Sequence, residues 1–289
     1  MYATVRSLLT AGSCTVFAVL AGCATDAPTA TAATATDAVS LARAGYDVGY
    51  HRQYGTPVPL GDGMARTYVV LNAKAGQTPV EVGVALDERA LSGLPSGGDE
   101  NILRLALPAQ GPAPYRFVEL DWNPRGHEPD GVYTVPHFDF HFVTISHDEW
   151  ESIVPSDPQF AAKANNVPTG AYIPRPYIVP GPPAAVAVPY MGVHWLDPRS
   201  PELQNILGNP TAYRPFTKTF IYGSWNGRFT FLEPMITRAY LLTQPDVVVP
   251  IPTPALYPLS GFFPTAYRVA YDAQAKEYRI ALTALVARP

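Results

Sequence analysis

One short segment concentrates the side chains that could carry out chemistry. In Pro136–Val143, with the sequence PHFDFHFV, His137, Asp139 and His141 alternate with phenylalanines. Because successive side chains of a β-strand point to opposite faces, a strand here places both imidazoles and the carboxylate on one face. Polar strand faces are usually built from lysine, threonine, glutamate or serine, so this composition indicates a metal or catalytic site. A buried His–Asp hydrogen-bond network remains the alternative.

The spacing limits how a single ion could use these residues. Same-face neighbours on a strand are about 6.6 Å apart, so His137 and His141 are separated by about 13 Å at Cα. That distance is near the limit for two imidazoles at one ion. Either the strand bends, or one adjacent pair binds the ion, or Asp139 orients a histidine ring from outside the coordination sphere.

Two later segments supply further candidate ligands. His194 lies in Met191–Trp195 and Glu233 in Phe231–Met235, both of them apolar, strand-like sequence. A polar group buried in such a segment needs a partner. One set of candidate ligands follows, namely His137, Asp139, His141, His194 and Glu233. Nitrogen and oxygen ligands of this kind suit Zn²⁺, or Mn²⁺ or Fe²⁺, better than a thiolate site would.

Each later candidate also has a structural interpretation. His194 could be a hydrogen-bonded core histidine, and Glu233 could pair with Arg228 or Arg238. His127 and Glu128 lie in a loop rich in glycine and proline, and that context favours a loop-forming or supporting role over direct participation.

Known catalytic motifs are missing from the sequence. There is no nucleotide-binding glycine fingerprint and no H-E-x-x-H. Gly223–Gly227 departs from the G-x-S-x-G elbow and reads as a hairpin, so a serine hydrolase is disfavoured.

The elements that must position these residues are mainly strands. The 32 prolines and 22 glycines, with 15% charged residues, favour short strands and turns over long helices. The sequence predicts a mainly β, α+β fold with antiparallel sheets and a few short helices, as one domain or two subdomains. Asn226-Gly227 predicts a tight hairpin, and Ser146 begins a helix N-cap pattern. The predicted strands are 66–71, 80–86, 102–107, 115–122, 133–145, 190–196, 217–222, 228–233, 267–271 and 278–285.

The N-terminus has the pattern of an exported lipoprotein. A short cationic start and an apolar run precede Leu20-Ala21-Gly22-Cys23, which resembles a bacterial lipobox. We therefore expect a signal peptide over 1–22, lipidation of Cys23, and an Ala/Thr-rich tether over 23–40. The remaining chain divides into a β-rich half at 41–167, a proline-rich arm at 168–189 and a second β-rich half at 190–289.

The composition limits the classes of binding partner and the cellular location of the protein. A formal net charge of −4 without a basic cluster argues against a nucleic-acid partner. The two cysteines are Cys14 and Cys23, so the folded domain is expected to have no disulfide. The expected location is the cell envelope, anchored to the membrane by lipid. Ala24 is not acidic, which favours the outer membrane in Gram-negative cells.

Three segments carry a resemblance to a family of exported bacterial lipoproteins of unknown function. They are Trp122–Phe142, Gly192–Trp195 and Phe231–Met235. The resemblance covers most of the mature chain and implies one domain without implying an activity.

Locally, His137–Phe142 is similar to the zinc-binding strand of α-class carbonic anhydrases, whose paired ligands are separated by one residue. Asp139 occupies the middle position here, so the resemblance does not carry over that activity. A cupin-like site of three histidines and one glutamate is a comparable analogy with different spacing.

Two functions follow from these observations. The first is a divalent-metal site in an exported lipoprotein, with metal-dependent catalysis if a coordination position stays open. The second is a non-catalytic envelope protein that binds a small apolar ligand or a protein partner through its aromatic side chains.

Overall fold

The computed structural model describes residues 49–98 and 100–289. The predicted signal peptide, Cys23 and the tether lie outside these residues. Within the described part of the chain, no helix has both the length and the apolar character needed to span a membrane.

Strands dominate the described residues, and the helices are short. The strands are β1 (Tyr50–Tyr54), β2 (Val58–Leu60), β3 (Gly63–Asn72), β4 (Thr78–Asp87), β5 (Asn101–Ala106), β6 (Phe117–Asn123), β7 (His137–Val143), β8 (Ala187–Val188), β9 (Gly192–Trp195), β10 (Lys218–Trp225), β11 (Arg228–Thr237), β12 (Asp246–Pro250), β13 (Gly261–Phe263), β14 (Ala266–Asp272), β15 (Glu277–Thr283) and β16 (Val286–Arg288). The α-helices are α1 (His147–Glu151), α2 (Phe160–Asn165), α3 (Pro183–Val186) and α4 (Arg238–Leu241).

The strands form two large antiparallel sheets. Sheet I has the order β1-β3-β4-β15-β14-β12, with β2 also paired to β3. Sheet II has the order β5-β6-β7-β11-β10-β9-β8, and β13 pairs with β16 separately. Each large sheet takes strands from before and after the proline-rich arm 168–189, so both halves of the chain build the same core. The mainly β fold predicted from the sequence is confirmed.

The main hydrophobic core lies between the two sheets. Val69 and Val82 of sheet I share one buried cluster with Leu120 and Phe140 of sheet II. All four side chains are fully buried. Burying a side chain of this size contributes about 1.5–3 kcal/mol, so this shared cluster holds the sheets together.

Strand β7 occupies the middle of sheet II, between β6 and β11. Phe138, Phe140 and Phe142 project into the main core. His137, Asp139 and His141 therefore project to the opposite face of sheet II, and every residue of β7 is buried. The sequence predicted that the phenylalanines of this strand point to one face and His137, Asp139 and His141 to the other, and the fold has this arrangement.

Two smaller clusters cover that opposite face. One is built around Trp150 of α1, with Ile153 and Phe231. The other contains Tyr133 and Phe216, which come from the loops before β7 and β10. The rings of His141 and Trp150 are 6.1 Å apart, and those of His137 and Phe216 are 5.4 Å apart, so the polar face lies between the two clusters.

The predicted boundaries of β7 need one correction. The sequence predicts a strand over 133–145, whereas β7 is His137–Val143. The backbone N–H of Tyr133 donates to the carbonyl of Pro129, which closes a turn, and Pro136 has no N–H for a ladder. The residues just before β7 therefore close the loop that presents His127.

The predicted turns and caps are confirmed in detail. Asn226 and Gly227 both have positive φ, and Trp225 pairs with Arg228 across them, as a tight hairpin requires. The Ser146 side chain accepts a hydrogen bond from the backbone N–H of Glu149 and caps α1.

Candidate metal centre

The polar face of sheet II is assembled from four strands. Asp121 of β6 lies directly opposite Asp139, and Asn123 lies opposite His137. On the other side Leu232 pairs with Phe142 and Met235 with Asp139, so Glu233 lies opposite His141. His194 enters from β9, where it pairs with Gly223 of β10.

His141, His194 and Glu233 form a buried group that we call the inner triad. Their ligand atoms all lie within 4.8 Å of one another. The Nε2 atom of His141 is 3.4 Å from Oε1 of Glu233, and Nε2 of His194 is 3.8 Å from Oε2. The side chains of His141 and Glu233 are only 1% and 2% exposed, whereas that of His194 is 20% exposed. The inner triad is therefore open to solvent mainly beside His194.

A phenylalanine packs against both histidines of the inner triad. The ring of Phe231 lies 5.0 Å from that of His141 and 5.2 Å from that of His194. A β-carbon at Gly223 would overlap the Phe231 ring. Glycine at this position of β10 therefore leaves the space that the ring occupies.

Asp121 supports the inner triad from behind His141. Its Oδ2 is 3.2 Å from Nδ1 of His141, on the side of the ring opposite Glu233. A carboxylate on the far nitrogen of an imidazole fixes the ring and raises its basicity as a ligand. Asp121 is fully buried, and burial raises its pKa to about 8 despite the opposing effect of His141.

His127, His137 and Asp139 form a second group, the outer triad. Their ligand atoms also lie within 4.8 Å of one another. Nε2 of His127 is 3.3 Å from Oδ2 of Asp139, and Nε2 of His137 is 3.2 Å from Oδ1. His137 and Asp139 are buried, but the His127 side chain is 34% exposed.

Backbone carbonyls fix the tautomers of both outer histidines. Nδ1 of His127 lies 2.7 Å from the carbonyl of Glu128, and Nδ1 of His137 lies 2.7 Å from that of Val135. A carbonyl only accepts, so Nδ1 is the donor in each ring. With Nδ1 as the donor on the far side, Nε2 of each ring faces Asp139, and Nε2 of His127 is hydrogen-bonded to Oδ2 at 3.3 Å. Asn123 donates to Oδ2 of Asp139 at 2.8 Å and fixes that carboxylate as well.

Several buried atoms of the two triads have no hydrogen-bond partner among the described residues. They are Nε2 of His137, Oδ1 of Asp139, Nδ1 and Nε2 of His141, Nδ1 of His194 and Oε2 of Glu233. A structural His–Asp network would satisfy these atoms, because an unpaired buried polar group costs about 1–3 kcal/mol. The atoms face one another without hydrogen-bond geometry, which the structural interpretation does not explain.

The same distances fit ligands around an ion. Two ligands about 2.0–2.2 Å from a tetrahedral metal are about 3.4 Å apart. The four pairs of nitrogen and oxygen atoms in the triads are 3.2, 3.3, 3.4 and 3.8 Å apart. These groups of histidine and carboxylate side chains could therefore hold metal ions.

Charge is balanced differently in the two triads. Burial opposes the charge of His141, but Glu233 and Asp121 outweigh burial and raise the pKa of His141 well above its usual value. Burial raises the pKa of Glu233 to about 8, against the influence of His141. For His194, burial and the charge of His141 lower the pKa to about 3.

In the outer triad the carboxylate keeps its charge. Burial raises the pKa of Asp139, but His137 and His127 outweigh it and hold that pKa far below the usual range. Burial likewise opposes the charge of His127, and the hydrogen bond to Asp139 outweighs it and raises the pKa of His127 to about 9.

The fold brings together all five candidate ligands predicted from the sequence, but as two groups. His137 and Asp139 belong to the outer triad, while His141, His194 and Glu233 form the inner triad. No ion pair joins Glu233 to an arginine among the described residues. Arg228 pairs with Glu149 at 2.5 Å, and Arg238 donates to the carbonyl of Leu91 at 2.8 Å.

The two loop residues singled out in the sequence occupy different positions relative to the triads. His127 contributes Nε2 to the outer triad, whereas Glu128 contributes only its backbone carbonyl and has an exposed side chain. A histidine in a loop carries no periodicity, so only the folded loop shows where its ring points.

Sequence reasoning also missed two supporting residues, Asp121 and Asn123. A signal existed for both, because Glu119, Asp121 and Asn123 alternate with apolar residues in β6 as His137, Asp139 and His141 do in β7. Their position beside the triads follows only from the pairing of β6 with β7.

A separate cavity of about 390 Å³ lies near the ends of β10 and β14. Its walls combine the aromatic rings of Tyr177, Phe220 and Tyr267 with Glu202 and Lys218. Glu202 is buried, and its Oε1 makes no hydrogen bond to any described residue. Charged walls of this kind suit a polar ligand better than the apolar ligand expected from the sequence.

Comparison with known proteins adds no assignment. No family model matches the chain, and neither a curated protein nor a solved structure matches it. The resemblances to exported lipoproteins and to the carbonic anhydrase strand therefore stay predictions.

Proposed function

We propose that this protein binds a divalent transition-metal ion at the inner triad. His141 and His194 supply two imidazole nitrogens, and Glu233 supplies a carboxylate. The observation that supports this best is the set of buried atoms facing one another without hydrogen bonds, Nε2 of His141 and Oε2 of Glu233 among them. Two histidines and one carboxylate form a ligand set found in catalytic zinc and non-haem iron sites, and Zn²⁺ fits it well.

Three protein ligands leave coordination positions open, so the proposal includes metal-dependent catalysis. An ion bound in this way lowers the pKa of a coordinated water and supplies a nucleophile at neutral pH. Around it, Asp121 orients His141, and the ring of Phe231 packs against both imidazoles. The part of His194 that remains exposed marks where a substrate would enter. The lipid anchor predicted on Cys23 would hold this centre at a membrane of the cell envelope.

The first test is metal content and thermal stability of the wild-type protein, purified without a histidine tag. We expect tightly bound metal, a lower melting temperature after chelation, and recovery on adding Zn²⁺. A ligand present at 100 times its Kd stabilises a fold by about 2.7 kcal/mol, so the shift should amount to several degrees.

The matched control for this test is His51→Ala, which removes an exposed histidine of β1 outside both triads. It should leave the metal content and the chelator-dependent shift unchanged. A wild-type melting temperature indifferent to chelator and to Zn²⁺, Mn²⁺ and Fe²⁺, with no metal bound, would contradict the proposal.

Metal binding should also release protons and weaken as pH falls. Glu233 and Asp121 outweigh burial and raise the pKa of His141 well above its usual value, and burial raises that of Glu233 to about 8, so this pair holds at least one proton near pH 7 in the metal-free protein. The ion needs both groups deprotonated, so binding at pH 7 should release about one to two protons. Affinity should rise with pH and level off once these groups are deprotonated.

Calorimetric titration with Zn²⁺ in two buffers of different ionisation enthalpy measures this release. Equal binding enthalpies in the two buffers at pH 7 would show that no proton leaves, and would contradict the assignment of His141 and Glu233 as ligands.

The cavity near Glu202 and Lys218 supports a second candidate function, the binding of a small polar molecule without catalysis. Its specific support is the unpaired Oε1 of Glu202 at the cavity wall. This function predicts that the chelator leaves stability unchanged, so the first test also separates the two candidates.

A further inference from the structure

We infer that the outer triad is a second metal site, and that sheet II holds two ions on one face. The inference extends the metal function proposed above to His127, His137 and Asp139. It does not depend on the inner triad, because the two groups share no ligand.

The spacing of β7 requires two ions if all the histidines bind metal. Asp139 and His141 are same-face neighbours about 6.6 Å apart at Cα, and His137 is about 13 Å from His141. Nε2 of His137 faces Asp139, whereas Nε2 of His141 faces Glu233 on β11. The two imidazoles of one strand therefore direct their free nitrogens to different carboxylates.

The outer triad is arranged to bind before any ion arrives. Both of its rings donate Nδ1–H to backbone carbonyls, and Asn123 donates to the carboxylate of Asp139. Nε2 of His137 and Oδ1 of Asp139 remain without a hydrogen bond inside the described region. Supporting bonds on the far side of each ligand are characteristic of protein metal sites.

The loop that carries His127 is fixed by its own backbone. Gly126 has a φ of +70°, and a β-carbon there would overlap the carbonyl oxygen of Tyr133. The backbone N–H of His127 donates to that same carbonyl at 3.3 Å. The ring of His127 then meets that of His137 at 4.7 Å, edge to face, with both Nε2 atoms directed at Asp139.

The donor set indicates the class of ion. Two imidazole nitrogens and one carboxylate suit a borderline ion such as Zn²⁺ rather than Ca²⁺ or Mg²⁺, which prefer oxygen ligands. His127 is the most exposed ligand of either triad, at 34%. The outer ion should therefore exchange with solvent faster than the inner ion.

The test is the number of Zn²⁺ ions bound per chain, measured by elemental analysis and by calorimetric titration of the metal-free protein. The wild type should bind two ions. His127→Ala should bind one, His194→Ala should bind one, and the double variant should bind none. His51→Ala should still bind two, which excludes adventitious binding to that exposed histidine. A chelator should remove the ion that His127→Ala lacks before it removes the other.

The outcomes separate this inference from the proposed function. One ion in the wild type, kept in His127→Ala and lost in His194→Ala, would overturn the second site and leave the inner site standing. One ion lost in His127→Ala and kept in His194→Ala would support the outer site and overturn the inner one. No bound ion in any form would overturn both.

A second substitution at His127 controls for the possibility that alanine misfolds the loop. His127→Gln keeps a polar side chain of similar length but lacks the imidazole ligand. If its circular dichroism and melting temperature without metal match those of the wild type, its ion count decides the question. Two ions in folded His127→Gln and in folded His127→Ala would contradict the inference.

Discussion

His141→Ala is expected to abolish metal binding at the inner triad and to destabilise the protein by about 3–5 kcal/mol, the usual cost of removing one partner from a buried ion pair. The reason is that His141 lies between two buried acids, with Nδ1 3.2 Å from Asp121 and Nε2 3.4 Å from Glu233. Alanine removes the ligand and leaves both acids without their cation. For a domain of this size, the melting temperature should fall by roughly 6–20 °C.

Asp121→Asn is the matched variant for this prediction. It keeps the volume of the side chain and a group able to contact Nδ1 of His141, but it removes the carboxylate. We expect inner-site affinity to fall by roughly 10–100-fold while binding remains measurable. The comparison thus separates a ligand from the residue that orients it.

The measurements are calorimetric titration with Zn²⁺ and thermal unfolding with and without chelator. His141→Gln serves as a folded control that fills part of the space of the ring. If His141→Ala and His141→Gln both retained wild-type affinity and ion number, His141 would not be a ligand. If Asp121→Asn lost as much affinity as His141→Ala, Asp121 would bind the ion directly.

Phe140→Ala is expected to cost about 3–5 kcal/mol, because it opens a cavity in the main core. Phe140 is fully buried on the opposite face of β7, next to Asp139 and His141 in sequence. It shares a cluster with side chains of both sheets, so the space cannot be filled by one neighbour alone. The decrease in the free energy of unfolding should be the same with and without chelator, because the side chain of Phe140 contacts the main core rather than the triads.

Chemical denaturation at equilibrium measures this effect, and Phe140→Leu should recover most of the loss because it restores much of the volume. Ion number in the folded variant should stay at the wild-type value. A cost below about 1 kcal/mol would contradict the packing of β7 in the centre of the core.

These two variants test the two faces of one strand, and the sequence alone predicted that division. Alternation of histidine and aspartate with phenylalanine is a local property, because the pleat sends successive side chains to opposite sides wherever a strand forms. The Asn226-Gly227 hairpin is local for the same kind of reason, since it depends on two residues that accept positive φ. The class of fold follows from many such local features taken together.

The grouping of the ligands could not be predicted in this way. The sequence suggested one site, because nothing in a linear pattern states which strand lies beside β7. Strand β11 places Glu233 opposite His141, and β6 places Asp121 opposite Asp139. Register between distant strands is set by packing over the whole sheet, and a shift by one residue would direct each of these side chains to the other face.

Local patterns in the sequence therefore predict the mainly β class, the face of β7 that carries His137, Asp139 and His141, and most of the candidate ligands. The folded structure adds that His137 and His141 belong to different triads, that the loop residue His127 joins His137 in the outer triad, and that Glu233 contacts histidines rather than arginines. The physical reason is one of range. Side-chain direction along a strand is fixed by neighbouring residues, whereas a metal site needs atoms a few ångströms apart that come from positions up to about 90 residues apart in the chain, such as His141 and Glu233.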